Sequence, residues 1–283
     1  MTTNKFYGAL ADYHMHTPLC LHAEGEPVEY ARQADELGLA EIGFSEHCPM
    51  PSHFDTLRMK SGDLTSYLAK IEEARKAFPS LKIRLGIEAE FAEGEEDHVK
   101  RFLDRASWDY VLGSVHYIRE WNFDAPEAVS RWKESRDLFG QWKLYFDLWK
   151  KAARTGFYDS LSHPDLVKKF GFIPSERCDE LFRDALAVVA EKGPAVEINT
   201  AGLRKPVKEI YPSGNFLRIA KNFDIPISLG SDAHAPGEVG MNFREAVALA
   251  RACGYTQYAR FNQRKRTLHP LPEVEQKTGE WEL

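Results

Sequence analysis

The sequence predicts an α/β protein built on a mainly parallel sheet. Three observations carry this. Seven extended apolar segments alternate with seven helical ones in a single rhythm, and the links between them are short. Residues suited to metal binding fall at the C-terminal ends of the extended segments, the edge at which parallel barrels carry their sites.

The elements follow in chain order. Extended segments are expected at residues 8–16, 40–46, 82–91, 110–117, 160–163, 195–199 and 225–232, each apolar and rich in Ile, Val, Leu or aromatics. Helices are expected at 27–37, 64–78, 95–105, 135–153, 175–191, 215–222 and 237–252. Pro27 suits a first helical position, and Ser175 followed by Glu176 and Asp179 resembles an N-terminal cap. Gly38, Gly156, Gly193 and Gly254 fall just past helical patterns, where a left-handed residue ends many helices. Residues 49–61 and 118–131 read as loops near the site. The whole chain, 1–283, reads as one domain with its core over about 8–268 and a polar tail from about Leu271.

Composition narrows the function. With 283 residues and 43% hydrophobic content the chain can bury a large core, and no apolar run reaches the roughly 20 residues of a membrane span. The N-terminus lacks a charged and apolar leader, so a cytoplasmic protein is expected. A net charge of −6 weighs against a broad nucleic-acid surface. Four cysteines lie scattered with no C-x-x-C pair, which fits a reduced compartment. Cys20 and Cys48 neighbour candidate ligands but read as small packing residues.

The chemistry concentrates in a few motifs. In Asp12-Tyr13-His14-Met15-His16 the two histidines, two apart on an extended segment, point to one face. His22 follows six residues later. His47 closes I-G-F-S-E-H, Glu88 sits in L-G-I-E-A-E-F, His116 in L-G-S-V-H-Y and His163 in S-L-S-H-P-D, while Asp232 and His234 end I-S-L-G-S-D-A-H. Any one of these is more often an ordinary hydrogen-bonded side chain than a ligand. A whole set kept to one edge of the sheet has no such explanation. Nine candidate ligands exceed the needs of one tetrahedral ion. Two metals bridged by a carboxylate, with Glu88 the candidate bridge, and a third metal would account for them. His98, in a charged helix, and His269, in a C-terminal loop, read as surface residues, while His53 lies near the site loop, where no role is a more frequent reading than a substrate contact.

These motifs together resemble the polymerase and histidinol phosphatase (PHP) family, in its histidinol-phosphatase branch. D-Y-H-M-H-T, S-E-H-C-P, G-I-E-A-E, G-S-V-H, S-H-P-D and G-S-D-A-H match its successive motifs over roughly residues 11–235, with no ligand position missing. The resemblance implies a distorted (β/α)7 barrel with the active site at the C-terminal ends of the strands. It also implies three divalent metal ions, drawn from zinc, iron and manganese. His14, His16, Glu88 and Asp232 would hold the first, Glu88, His116 and His163 the second, and His22, His47 and His234 the third.

The implied reaction is hydrolysis of L-histidinol phosphate by a metal-bridging hydroxide, with Asp232 steering its proton. The segment Glu197 to Pro212 resembles the corresponding loop of histidinol-phosphatases, and Arg204 within it suits bidentate contact with phosphate. Asn199 is expected to support a ligand or substrate, and Lys168 and Lys169 to add positive charge. Tyr117, Trp121 and Phe123 are expected to line a pocket for the imidazole, with Glu46 and Glu90 as weaker partners for the ammonium. Other readings are a phosphatase for a phosphosugar or phosphotyrosine, a nucleotide phosphodiesterase or exonuclease, and a metal-binding module without catalysis.

Overall fold

Seven strands pair in parallel in the order β1 (Ala11–Asp12), β2 (Glu41–His47), β3 (Lys82–Glu90), β4 (Tyr110–Ser114), β7 (Ser160–Leu161), β8 (Ala195–Asn199) and β9 (Ile227–Gly230). The computed structural model describes residues 5–274. The ring is drawn shut between its last and first strands. Tyr13 N donates to Leu229 O at 3.1 Å, His16 N donates to Ala233 O at 2.9 Å, and Met15 pairs with Ala233 in a parallel bridge. The expected α/β barrel is therefore present, with seven strands.

Helices run between the strands: α1 (Pro27–Leu37), α2 (Leu64–Ala77), α3 (Glu96–Leu103), α4 (Ala128–Glu134), α5 (Leu138–Thr155), α6 (Asp179–Lys192), α7 (Gly214–Asn222) and α8 (Phe243–Ala252). Among the described residues no helix is long and apolar enough to cross a membrane. The start of α1 follows from sequence: Pro27 opens it, and Glu26 and Glu29 cap each other's backbone N–H groups. Gly38, Gly156, Gly193 and Gly254 all take the expected left-handed conformation. Ser175 does not cap α6. That helix begins four residues later, and the Ser175 hydroxyl bonds the neighbouring Glu176 instead.

Several elements differ from expectation. The first strand is two residues long because Tyr7–Ala9 coil into a 3-10 turn, and beyond Asp12 the chain pairs irregularly with both neighbours. The helix expected at 135–153 is α5, which starts three residues later and ends two later, and a separate helix, α4, precedes it. Asp137 accepts Gly140 N and starts α5 afresh, while α4 lies partly in the expected loop. A short hairpin, β5 (Tyr117–Ile118) with β6 (Trp121–Asn122), precedes it.

The largest departure is an antiparallel hairpin, β10 (Gln257–Asn262) with β11 (Lys265–Pro270), where the sequence suggested loop. It closes the N-terminal end of the barrel. Phe261 N donates to Tyr13 Oη, Tyr258 Oη donates to Ala9 O, and Arg264 and Gln263 donate backbone N–H groups to Asp109. His269 thus lies on a strand. Leu271 is buried, with its N–H on Thr256 O, so the expected tail does not begin there, and most of it falls outside the described residues.

Above this floor Tyr110 crosses the barrel interior. Gly43 and Gly86 make room for its ring: a Cβ would come 2.5 Å from the Tyr110 hydroxyl at the first and 2.2 Å from its Cζ at the second. The hydroxyl donates to Tyr13 O at 2.8 Å, and Tyr13 and Phe261 pack against the ring. These aromatics fill the lower half, and the candidate ligands stand above them at the upper rim.

Candidate metal centre

Glu88 lies on β3, 1% exposed, with imidazoles on every side. His47 Nδ1 and His163 Nε2 approach it at 2.8 and 2.9 Å, His14 Nε2 and His16 Nε2 at 3.5 and 3.7 Å, and His116 Nε2 at 3.7 Å. Asp232 Oδ1 closes the group from the other side, 3.7 Å from His14 Nε2 and 3.4 Å from His16 Nε2. His22 and His234 face each other through their Nε2 atoms at 3.0 Å, and their rings stand 5.3 and 6.2 Å from that of His47. All nine candidate ligands therefore meet at the C-terminal rim.

Whether these residues suit a metal is tested by their unmet bonds. His14 Nε2, both nitrogens of His16, His47 Nδ1, His163 Nδ1 and Glu88 Oε2 are buried without a hydrogen-bond partner. The 2.8 Å approach of His47 to Glu88 is close but not aligned as a hydrogen bond. Buried polar atoms left unpaired cost about 1–3 kcal/mol each, and a cluster of them in one place points to a cationic ligand. Soft-to-borderline nitrogen donors with carboxylate oxygens suit zinc, iron or manganese. Four donor groups lie close enough to share one ion: His14, His16 and Glu88; His14, His163 and Asp232; Glu88, His116 and His163; and His22, His47 and His234. His16, Cys20 and His234 form a fifth such group, yet the Cys20 thiol is pushed well up by burial and donates to Thr17 O.

Charge follows from this crowding. Burial alone would raise the Glu88 carboxyl, but the fields of His14 and His47 and the bond from His163 hold it well below the carboxylate range. Burial opposes protonation of His14, and Glu197, Asp232 and Glu88 overcome it, raising His14 well above its ordinary value. His16 rises to about 9 against burial through Asp232 and Glu46, and His116 to about 9 through Glu90. His47 and His234 are driven well down by burial and by His16. The raised His14, His16 and His116 favour protons on nitrogens that a metal would need as lone pairs. Metal uptake at pH 8 is expected to release protons, and calorimetric titration in buffers of different ionisation enthalpy would read it. Uptake with no proton exchange would contradict this charge assignment.

Outer carboxylates orient the ligands. Glu197 accepts from His14 Nδ1 at 2.8 Å and from His163 N at 2.9 Å, and Asn199 Nδ2 donates to Glu197 at 3.0 Å and to Asp232 Oδ2 at 3.2 Å. Glu90 accepts from His116 Nδ1 and from His116 N, both at 2.8 Å. Glu46 accepts Thr17 N, the Thr17 hydroxyl and His47 N. Glu46 and Glu90 are thus buried and occupied, which removes them as partners for an ammonium. Glu197 was missed in sequence although its position two before Asn199 puts both on one strand face. Asp12 was also given no role. It is fully buried, accepts the N–H groups of Ser231 and Gly240, and so fixes the loop that carries Asp232. His163 and Asp232 themselves sit at φ 28° and 54°, left-handed values that a non-glycine residue adopts only when its surroundings compel it.

Arg204 reaches the centre. Its Nη2 donates to Ser231 O and Asp232 O at 2.9 and 3.2 Å, its Nε pairs with Glu238 at 3.1 Å, and its Nη1 is buried without a partner. Lys168 does not offer its charge to the site: it is 1% exposed and its ammonium is consumed by Asp165, Glu209 and Ile210 O. Lys169 pairs with Asp124. Trp121 and Phe123 are buried against Trp132, with Phe123 also on Tyr145, so both pack as core residues and not as the expected pocket lining. Tyr117 is buried with its hydroxyl bonded to Asp55 at 2.6 Å. His98 is half-buried and bonds Pro49 O, against the surface reading, whereas His53 is exposed.

Comparison with known proteins gives a consistent result. Residues 12–201 match the PHP domain family model. A Deinococcus radiodurans protein named "Probable histidinol-phosphatase" is 47% identical over 247 residues, covering 87% of this chain and 94% of the relative. The histidinol-phosphatase of Bacillus subtilis is 30% identical, covering 81% and 95%. The crystal structure of a Lactococcus lactis histidinol phosphate phosphatase, complexed with zinc, L-histidinol and phosphate, superposes with a TM-score of 0.78 at 24% identity, covering 92% and 99%. That likeness is one of fold.

Proposed function

Since the chain belongs to the PHP domain family, we propose that it is a metal-dependent histidinol-phosphatase that hydrolyses L-histidinol phosphate to L-histidinol and phosphate. The chemistry rests on one observation above all: a buried carboxylate, Glu88, ringed by five imidazoles, four of which keep a buried nitrogen without a partner. The substrate rests on 47% identity to a relative of that name over most of both chains.

Three ions are assigned, zinc among the candidates. His14, His16, Glu88 and Asp232 hold one, Glu88, His116 and His163 the second, and His22, His47 and His234 the third. When bound, such ions make water acidic enough to attack near neutral pH and neutralise phosphate charge. The chain's own groups do the rest. Arg204, anchored through Nε and Nη2, keeps Nη1 for a phosphate oxygen and meets the charge that grows as the ester bond breaks. Asp232, braced by Asn199, takes the proton of the attacking water. Glu197 and Glu90 keep their histidines aimed at the centre. The single-domain reading and a cytoplasmic location complete the proposal.

Turnover of histidinol phosphate, phosphosugars, phosphotyrosine and short single-stranded DNA by the metal-loaded protein tests it. Histidinol phosphate is expected to be clearly the best substrate, and preference for any other would replace the assignment. Metal without turnover of any would leave a binding module. Arg204→Ala is expected to lower kcat/KM by about 100-fold or more while metal content stays unchanged. Loss of metal in that variant would show Arg204 to be structural.

A further inference from the structure

Three carboxylates stand behind the histidines, and one of them is unlike the others. Glu197 and Glu46 bond groups of the barrel rim and of the turn after His16. Glu90 instead receives a guanidinium: Arg58 Nη2 donates to its Oε2 at 2.8 Å, the same oxygen that accepts from His116 Nδ1 at 2.8 Å. Arg58 comes from the loop at 49–63 between β2 and α2, outside the barrel wall. It is 7% exposed, and its Nε donates to Asp55 Oδ2 at 3.1 Å. Asp55 is fixed in turn: its Oδ2 accepts from Tyr117 Oη, and its N–H donates to that hydroxyl at 3.0 Å. Tyr117 adjoins His116 in sequence, so the chain Asp55, Arg58, Glu90, His116 and Tyr117 closes on itself.

We propose that Arg58 is a positioning residue for His116, acting through Glu90 to set the orientation and donor strength of that imidazole toward its metal. This rests on the phosphatase reading above for the presence of metal. Two physical effects follow. The guanidinium fixes the Glu90 plane, and with it the hydrogen bond that holds the His116 ring with Nε2 toward Glu88. It also draws charge from the shared oxygen, so Glu90 polarises His116 less than a lone carboxylate would. The loop over the site is thereby tied through a side chain to the metal group of Glu88, His116 and His163, while its backbone also bonds His47 O through Met59 N at 3.3 Å.

The remaining nitrogen, Nη1, is buried without a partner, which suggests a rival role in direct phosphate contact. Metal titration by chelator competition and metal analysis, with kinetics of the reloaded protein, separates the two. Arg58→Gln is expected to weaken one metal site by about 10–100-fold and leave the others intact. Activity should be lost at stoichiometric metal and return in excess metal with KM unchanged. Glu90→Gln should behave alike, and the double variant should be no worse than the worse single. Arg58→Lys, which keeps the charge and most of the packing, should fall between Arg58→Gln and wild type. Unchanged metal affinity with a raised KM would make Arg58 a substrate residue and overturn the proposal. A lower Tm with unchanged metal affinity would reduce it to a structural anchor. Wild-type protein that takes up no metal would instead sink the phosphatase reading, and this inference with it.

Discussion

Replacing Glu88 with Gln is expected to abolish phosphatase activity and strip the protein of metal at the centre of the site. The carboxylate touches five imidazoles and belongs to two of the donor groups. Changing an outer partner of a ligand costs about 10–100-fold, and losing a shared ligand should exceed that. The metal-free variant should be destabilised as well. Glu88 is one of three carboxylates, after Glu197 and Asp232, whose charge favours protonation of the fully buried His14, and losing it leaves the surrounding imidazoles less well paired. Metal analysis, turnover and thermal melts of both forms would check it. A Glu88→Gln variant with full metal and more than a tenth of wild-type activity would exclude the bridging role.

The second large effect is expected from a residue with no side chain. A Cβ at Gly230, at the end of β9, would lie 2.0 Å from Glu197 Oε1 and 2.6 Å from His14 Cβ. Neither neighbour can yield easily. Glu197 is held through both oxygens by His14, His163 and Asn199, and His14 is pinned between Glu197 and the centre. Gly230→Ala is therefore expected to cost about 1–3 kcal/mol of stability by overpacking. It should also turn His14 out of register and lose metal. Gly62→Ala, where a Cβ would meet nothing within 4 Å, serves as the control. Equal melting temperatures and metal content in the two variants would show that the tight fit at Gly230 is not real.

The candidate ligands were legible because imidazoles and carboxylates at strand ends have few other reasons to share one edge. His14 to His234 all converge as the spacing implied. The outer carboxylates were harder to read. Glu46 and Glu90 stand beside ligands and looked free to meet substrate, and only the three-dimensional contacts show both consumed by backbone N–H groups and, for Glu90, by Arg58 and His116. Lys168 misled for the same reason: a lysine near a site reads as charge for substrate until its acceptors are seen. The aromatics after His116 were ordinary core. The terminal hairpin escaped notice because its turn, Asn262-Gln263-Arg264-Lys265, has no glycine, although Gln263 and Arg264 both take positive φ. Its second strand is also largely exposed, so it carries little apolar alternation.

The closure of the barrel between β9 and β1 has a consequence for how the protein matures on the ribosome. The first histidines to leave the exit tunnel wait for partners near the other end of the chain: His22 meets His234 across 212 positions, and Tyr13 meets Phe261 across 248. At about 5–20 residues per second, synthesis separates them by on the order of ten to fifty seconds. The group of Glu88, His116 and His163 is complete once residue 163 has emerged, whereas the groups that need Asp232 or His234 wait for the ninth strand. Ions at the two kinds of site can therefore be selected at different stages of synthesis.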